Sequence, residues 1–249
     1  LSLSLSLSLS LSLSFSLFSL VSFCFRLVSE KYPTLVTPSR WAFCLWGPVF
    51  LCEGAAALAP GVLGLTSGPA RDVMAQIAPG FQIMHLLQVA WTAIFKRGVE
   101  QPAAVAVAAA PLALVAVLLR RIDTVLYAAD VSWVLRVGLS VHAAWSFVAA
   151  LVNCNLAARA LNWSPRARYA LAVGTAGTCL AGLLGTALAR GHPAYAFVGA
   201  WALLAIGSNK EVASQQLHEM PGCALKVWRF GALASGVACL GVGLGLSLR

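Results

Sequence analysis

Residues 142–153 read His-Ala-Ala-Trp-Ser-Phe-Val-Ala-Ala-Leu-Val-Asn, inside an apolar run from Leu135 to Leu161. A helix advances about 100° per residue, so His142, Trp145, Ala149 and Asn153 fall on one narrow stripe. Nearly everything else in the stretch is small or apolar. Polar groups on one face of a membrane helix need partners, so the stripe is expected to face protein or ligand rather than lipid.

The surrounding chain is built in the same way. Of its 249 residues, 60% are hydrophobic and 10% charged, whereas a soluble domain carries about 25% charged residues. Mean hydropathy is +0.84. A soluble fold of this length could not hide so much apolar surface, so residues 29–249 read as one integral membrane domain. The net charge of +9 is no nucleic-acid signal, because the basic residues sit mostly in short gaps between apolar runs. The seven cysteines are scattered, form no Cys-x-x-Cys, and lie mostly within apolar segments. They read as small buried hydrophobes, with no support for a disulfide framework or a zinc site.

Residues 1–28 form a low-complexity Leu/Ser segment opening with seven Leu-Ser pairs. An isolated strand cannot cross a bilayer, but Leu5–Val28 is long enough for a first membrane helix. It lacks the basic start of a signal peptide. Seven further apolar runs follow: Trp41–Leu63, Met74–Phe95, Pro102–Leu119, Leu135–Leu161, Ala167–Leu188, Pro193–Gly207 and Cys223–Leu248. The expected architecture is an all-α, multi-pass helix bundle of seven to eight spans. Pro193–Gly207 is short for a span, which leaves it tilted, extended or partly buried. The gaps carry turn and charge signals such as Lys96-Arg97-Gly98, Arg120-Arg121-Ile122-Asp123 and Arg190-Gly191-His192-Pro193. Lys and Arg are modestly biased toward the side holding Arg40, Lys96, Arg97 and Arg166. That side is then cytoplasmic, matrix or stromal, and the sequon Asn162-Trp163-Ser164 falls there, so no glycan is expected. Which membrane holds the chain is not written in it. Gly177, Ala181 and Gly185 form a small-residue ridge, as do Gly231, Ser235, Cys239 and Gly243. Such ridges let membrane helices approach closely, within the monomer in preference to a homodimer.

Four polar or aromatic features stand out within the apolar runs. They are Pro38-Ser39-Arg40-Trp41-Ala42-Phe43-Cys44-Leu45-Trp46-Gly47-Pro48, His85-Leu86-Leu87-Gln88-Val89-Ala90-Trp91, the 142–153 stripe, and Glu53. The first three resemble the TspO/MBR family, the tryptophan-rich sensory proteins, translocator proteins or peripheral benzodiazepine receptors. Pro38, Trp41, Phe43 and Trp46 followed by Gly-Pro-Val resemble its aromatic helix. The Phe-x-x-Trp spacing is closer to the longer "TspO and MBR related" branch. Gln88-Val89-Ala90-Trp91 sits where the family has Asn-x-x-Trp, and Ala144-Trp145 with Asn153 matches its Ala-Trp and Leu-Asn. Pro193-Ala194-Tyr195-Ala196 to Trp201-Ala202-Leu203 is similar to a later helix of the longer branch. The resemblance covers about residues 37–207. It implies a five-helix core (residues 29–162 with the N-terminal segment) followed by about three extra helices (163–249). It also implies an aromatic pocket for a tetrapyrrole, a sterol or a synthetic ligand. Carried over, the ligand-binding residues are Trp41, Phe43, Trp46, His85, Gln88, Trp91, His142, Trp145 and Asn153. His142 departs from the Tyr of compact members and Gln88 from their Asn.

Each residue also has a plainer reading. Tryptophan near a helix end anchors at the interface, and Trp41 next to Arg40 suits that role as well as a pocket. A flat aromatic wall suits a planar conjugated ligand. His142 either meets a porphyrin, whose iron it could ligate, or makes a structural hydrogen bond. His85 shares a face with Gln88, and Asn153 reads as glue between helices. Glu53 is the sharpest oddity, because an acid at mid-span costs about 2.5–3.5 kcal/mol. It is expected to be neutral or paired with His85 or His142, and a proton relay is the functional alternative. No metal site, cofactor beyond a porphyrin-type ligand, or catalytic motif is found. Gly241-Val242-Gly243-Leu244-Gly245 has no strand before it and is no nucleotide loop. The chain therefore reads as a non-enzymatic binder of a hydrophobic planar molecule, for sensing or transport. A proton-coupled transporter of another substrate and a scaffold subunit of a membrane complex are the alternatives. Its expected partners are the bilayer and a hydrophobic small molecule, not nucleic acid.

Overall fold

A computed structural model describes residues 25–62, 69–128, 133–210 and 222–248. The Leu/Ser segment, and most of the helix expected over Leu5–Val28, lies outside the described residues, which begin with a helical stretch over 25–31. A 3-10 turn, Arg40–Leu45, leads into α1 (Trp46–Val62). Then come α2 (Pro69–Arg97), α3 (Pro102–Ala128), α4 (Trp133–Ala160), α5 (Pro165–Arg190), α6 (Pro193–Ser208) and α7 (Gly222–Ser247). Among the described residues there is no strand. The all-α reading holds, and the chain is an integral multi-pass membrane protein. Within α2, α3, α4, α5 and α7 lie stretches of 23 to 27 residues that are long and apolar enough to cross a membrane. By contrast, α1 and α6 have 17 and 16 residues.

Local chemistry sets the helix ends. Ser164 caps α5 by accepting from the Ala167 amide at 3.3 Å, with Pro165 in the first turn. That helix stops at Gly191, whose φ of 61° is left-handed and suits glycine. His192 then caps α6 through its ring, again with proline next. Basic residues close α2, α4 and α5: Lys96 and Arg97, Arg159, and Arg190. There they complement the negative end of the helix dipole.

The bundle is organised around α4 and α6. Along its length α4 packs on α1, α3, α5 and α6, while α2 packs against α3. The small, wholly apolar α6 lies against α4, α5, α7 and the 3-10 turn. Most of it is buried between Ala194 and Gly207, with only the face of Phe197, Trp201 and Leu204 half-buried, as suits a helix with no charged residue. The shortest apolar run is thus an inner helix, whereas α2, α3, α5 and α7 expose large apolar side chains, among them Leu86, Val107, Val117, Leu188, Val227 and Phe230.

The two small-residue ridges behave differently. The Gly231–Gly243 ridge packs only toward its end: a Cβ on Gly243 would touch Phe197 and one on Gly199 would lie 3.4 Å from Cys239 Sγ, whereas one on Gly231 would meet nothing within 4 Å. The Gly177–Ala181–Gly185 ridge faces outward, and a Cβ on Gly177 or Gly185 would meet nothing within 4 Å. Its expected packing inside the monomer is therefore corrected. The contacts of α5 lie on its other faces, where Gly182 meets Phe147 of α4 and Leu183 meets Gly199 of α6.

The extended stretch before the 3-10 turn is stitched to the C-terminal helices. Trp228 Nε1 donates to the Leu35 carbonyl at 3.1 Å, Asn209 Nδ2 to the Thr37 carbonyl at 3.0 Å, and Trp201 Nε1 to the Ala42 carbonyl at 3.0 Å. The Ser39 amide donates to the Ala205 carbonyl at 3.0 Å. These bonds satisfy backbone groups that no regular element serves.

Candidate functional site

The α4 stripe faces protein along its whole length: His142, Trp145, Ala149 and Asn153 are all buried. At its lower end Trp91 Nε1, on α2, donates to Asn153 Oδ1 at 3.2 Å, and Asn153 Nδ2 donates to the Val105 carbonyl of α3 at 2.7 Å. One amide thereby joins three helices. At the middle, Trp145 meets Trp46 of α1 edge-on, with centroids 6.3 Å apart, and Phe43 at 6.2 Å. Trp46 stacks on Phe50 at 5.6 Å and presents its plane to the His142 ring at 5.6 Å.

Glu53 supplies the upper end. It projects from α1, is 2% exposed, and lies between two histidines. One carboxylate oxygen is in short contact with His142 Nδ1 on α4. The other lies 3.5 Å from His85 Nε2 on α2. His85 Nδ1 faces the Phe81 carbonyl at 2.9 Å. Because a carbonyl only accepts, Nδ1 carries the hydrogen there. In the neutral ring, His85 Nε2 is then bare and can accept from a protonated Glu53; in the charged ring it can donate to the carboxylate. The three groups can share a proton across the interface of three helices. The expected pairing of Glu53 with His85 or His142 is realised with both.

Several buried polar atoms around this centre have no hydrogen-bond partner among the described residues. They include the indole Nε1 of Trp46 and of Trp145, both amide atoms of Gln88, His142 Nε2, Ser146 Oγ and the Glu53 oxygen that faces His85 at ion-pair range. Buried polar groups are satisfied in the great majority of cases, so these atoms on facing helices are donors and acceptors open to a further polar group. The aromatic rings meet one another directly, so a flat molecule enters only if Trp46 and Trp145 separate.

Of the carried-over residues, Phe43, Trp46, Gln88, Trp91, His142, Trp145 and Asn153 are buried together in the core, with His85 at its edge. Trp41 is set apart. It is 44% exposed and packs edge-on against Trp201, with centroids 4.7 Å apart.

A second polar cluster was not expected. Asp123 of α3 is buried and accepts from Ser140 of α4, from Tyr195 Oη of α6 at 2.7 Å, and from Arg190 Nη1 of α5 at 2.6 Å. His192 Nε2 lies 3.3 Å from Ser140 Oγ, and His192 Nδ1 accepts from the Ala194 amide at 3.3 Å. The residue types are those of a serine nucleophile, but the wiring is not. With Nδ1 accepting, Nε2 carries the proton and donates to Ser140, while Ser140 gives its own proton to Asp123. A general base needs a bare Nε2 and a carboxylate on the imidazole, not on the serine. The cluster ties four helices together. His192 sits in the α5–α6 turn; burial pushes it below the usual imidazole range, opposed by Asp123 and assisted by Arg136 and Arg190. In sequence, Asp123 sits beside Arg120-Arg121 and reads as an interface charge. Its only signal is that it falls on the same face as Leu119 and Leu126, which are buried.

Among the described residues no group of three His, Cys, Asp or Glu could hold a metal ion. No curated protein and no solved structure matches the chain significantly. A family model described as TSPO-like protein matches residues 4–234, and with nearly the whole chain covered, this protein belongs to the TSPO-like family.

Proposed function

We propose that the α1–α2–α4 centre binds a hydrophobic planar molecule, a tetrapyrrole or a sterol, for sensing or transport. The observation that carries this reading is the coincidence of unpaired buried polar atoms with the aromatic walls. Among the described residues, Trp46 Nε1, Trp145 Nε1 and His142 Nε2 lack partners where Trp46, Trp145 and Phe43 converge, as does the buried Gln88 amide on α2. Indole faces suit a conjugated ring, each good ring pair adding about 0.5–1.5 kcal/mol beyond burial. The unpaired donors and acceptors suit its polar substituents. Glu53 orients His142 through Nδ1 and leaves Nε2 for the ligand, the arrangement by which a carboxylate fixes a histidine's tautomer. Titration with protoporphyrin, followed by Trp fluorescence, tests the reading. Saturable quenching is expected in the wild type and loss of affinity in a Trp46→Ala/Trp145→Ala double variant. Absent quenching, or equal affinity in that variant, would overturn it.

A second reading rests on a different observation. Glu53 between two imidazoles from different helices is a site where a proton can change hands within the membrane. Proton-coupled transport then predicts pH-dependent uptake into proteoliposomes that Glu53→Gln abolishes, while protoporphyrin quenching survives.

A further inference from the structure

A cavity of about 320 Å³ lies away from the aromatic centre, between α3, α4 and α5. Its volume is within the usual range for small-molecule sites. The floor is made of small or buried side chains, Ala143, Ala150 and Leu183, closed at one end by the Tyr195 ring. Its rim is exposed at Ala113, Val117 and Cys154, so it opens sideways toward lipid rather than inward to Trp46. The polar groups along it are nearly all engaged. The Thr186 hydroxyl donates to the Gly182 carbonyl at 2.7 Å, and the Tyr195 hydroxyl donates to Asp123 at 2.7 Å. Asp123 in turn holds the Arg190 charge. Arg120 differs. It lines the same cavity and is exposed, and among the described residues no hydrogen bond or ion pair takes up its guanidinium. Arg121 stands exposed beside it and adds to the positive field. An apolar slot with an exposed rim, ending in a guanidinium that no described residue pairs, is complementary to an acyl chain bearing an anionic head.

We infer that this groove is a binding site for one acidic phospholipid of the surrounding bilayer, with an acyl chain along Ala113, Val117 and Ala150 and its phosphate on Arg120. The planar fork of arginine matches phosphate oxygens in a way that a zwitterionic headgroup, carrying its own cation, meets less well. The site is independent of the aromatic centre, because none of its lining residues belongs to it.

The test uses the full chain reconstituted in phosphatidylcholine bilayers with trace spin-labelled phosphatidylglycerol, phosphatidylcholine or stearate. The wild type is expected to immobilise phosphatidylglycerol several-fold more than phosphatidylcholine, with the preference falling at high salt. Arg120→Gln should remove the preference, and Ala113→Phe, which fills the slot from its exposed rim, should remove the immobilised component itself. Trp46→Ala/Trp145→Ala should retain both. Both groove substitutions are at exposed positions, and unchanged thermal unfolding confirms that the bundle persists. Equal preference in wild type and Arg120→Gln would overturn the inference. So would an immobilised component that survives Ala113→Phe, or an Arg120-dependent retention of stearate in place of phosphatidylglycerol.

Discussion

Glu53 is gripped by imidazoles from two other helices, so removing its carboxylate strands both. Breaking a buried pair by deleting one partner costs about 3–5 kcal/mol. Glu53→Ala is therefore expected to lower thermal stability in detergent far more than Glu53→Gln, which keeps an acceptor and a donor in place. Equal losses in the two variants would count against the pairing. His192 makes a prediction of opposite chemical sense. Its Nδ1 must be bare to accept from Ala194, and its folded pKa is lowered. The unfolded chain thus binds the proton first. The stability gained from the neutral ring is complete above the unfolded value of about 6.5 and is lost as pH falls from there through the folded value. Melting followed between pH 7.5 and 5 should show this acid loss in wild type and its absence in His192→Asn, which can still cap. The residues of the α4 stripe could be read directly, because helical spacing alone puts His142, Trp145 and Asn153 on one face. The partners of Asp123 could not. Ser140, Arg190, His192 and Tyr195 come from other helices and the turn between them, and no local pattern announces a contact set by the crossing of α3, α4, α5 and α6.

Helix contacts show why a small-residue ridge is an incomplete signal. Spacing of four makes a smooth strip, but a smooth strip can face a neighbour or the lipid. What decides is the opposite surface. A Cβ on Gly236 would come within 2.8 Å of Leu204 Cγ and 3.1 Å of the Leu204 amide, whereas Gly177 has nothing within 4 Å. Gly236→Leu is expected to destabilise by about 1–3 kcal/mol through overpacking. Gly177→Leu should be neutral or slightly stabilising, since leucine is the better helix former by roughly 1 kcal/mol. Comparing the two unfolding midpoints checks the assignment, and a larger loss at Gly177 would place α5's ridge in a contact after all. The helices themselves were legible from apolar runs bounded by glycine, proline and charge. Which runs pack inside was legible only in part: Pro193–Gly207 stands out by its shortness and lack of charge, but no local pattern names the helices that cover it.

At the scale of the whole molecule, α6, the shortest of the numbered helices, takes an inner position. A free span of 16 residues is marginal for a bilayer core of about 30 Å at 1.5 Å per residue, yet α6 is covered by α4, α5 and α7 and needs no match to lipid. Its backbone amides are expected to exchange with deuterium more slowly than those of the longer α5 and α7. Faster exchange in α6 would show that its packing opens independently of the bundle. The stretch of chain that α6 and α7 tie down gives synthesis an order. The Leu35 carbonyl waits for Trp228, which lies 193 residues later. At about 5–20 residues per second, the ribosome needs roughly 10–40 s to supply that donor after Leu35 is made. Until Trp201, Asn209 and Trp228 have been made in turn, the carbonyls at Ala42, Thr37 and Leu35 lack their final partners, and the stretch leading into Phe43 and Trp46 lacks its full anchor. The aromatic centre is therefore among the last parts of the molecule to acquire its finished geometry, although its first residues are made early.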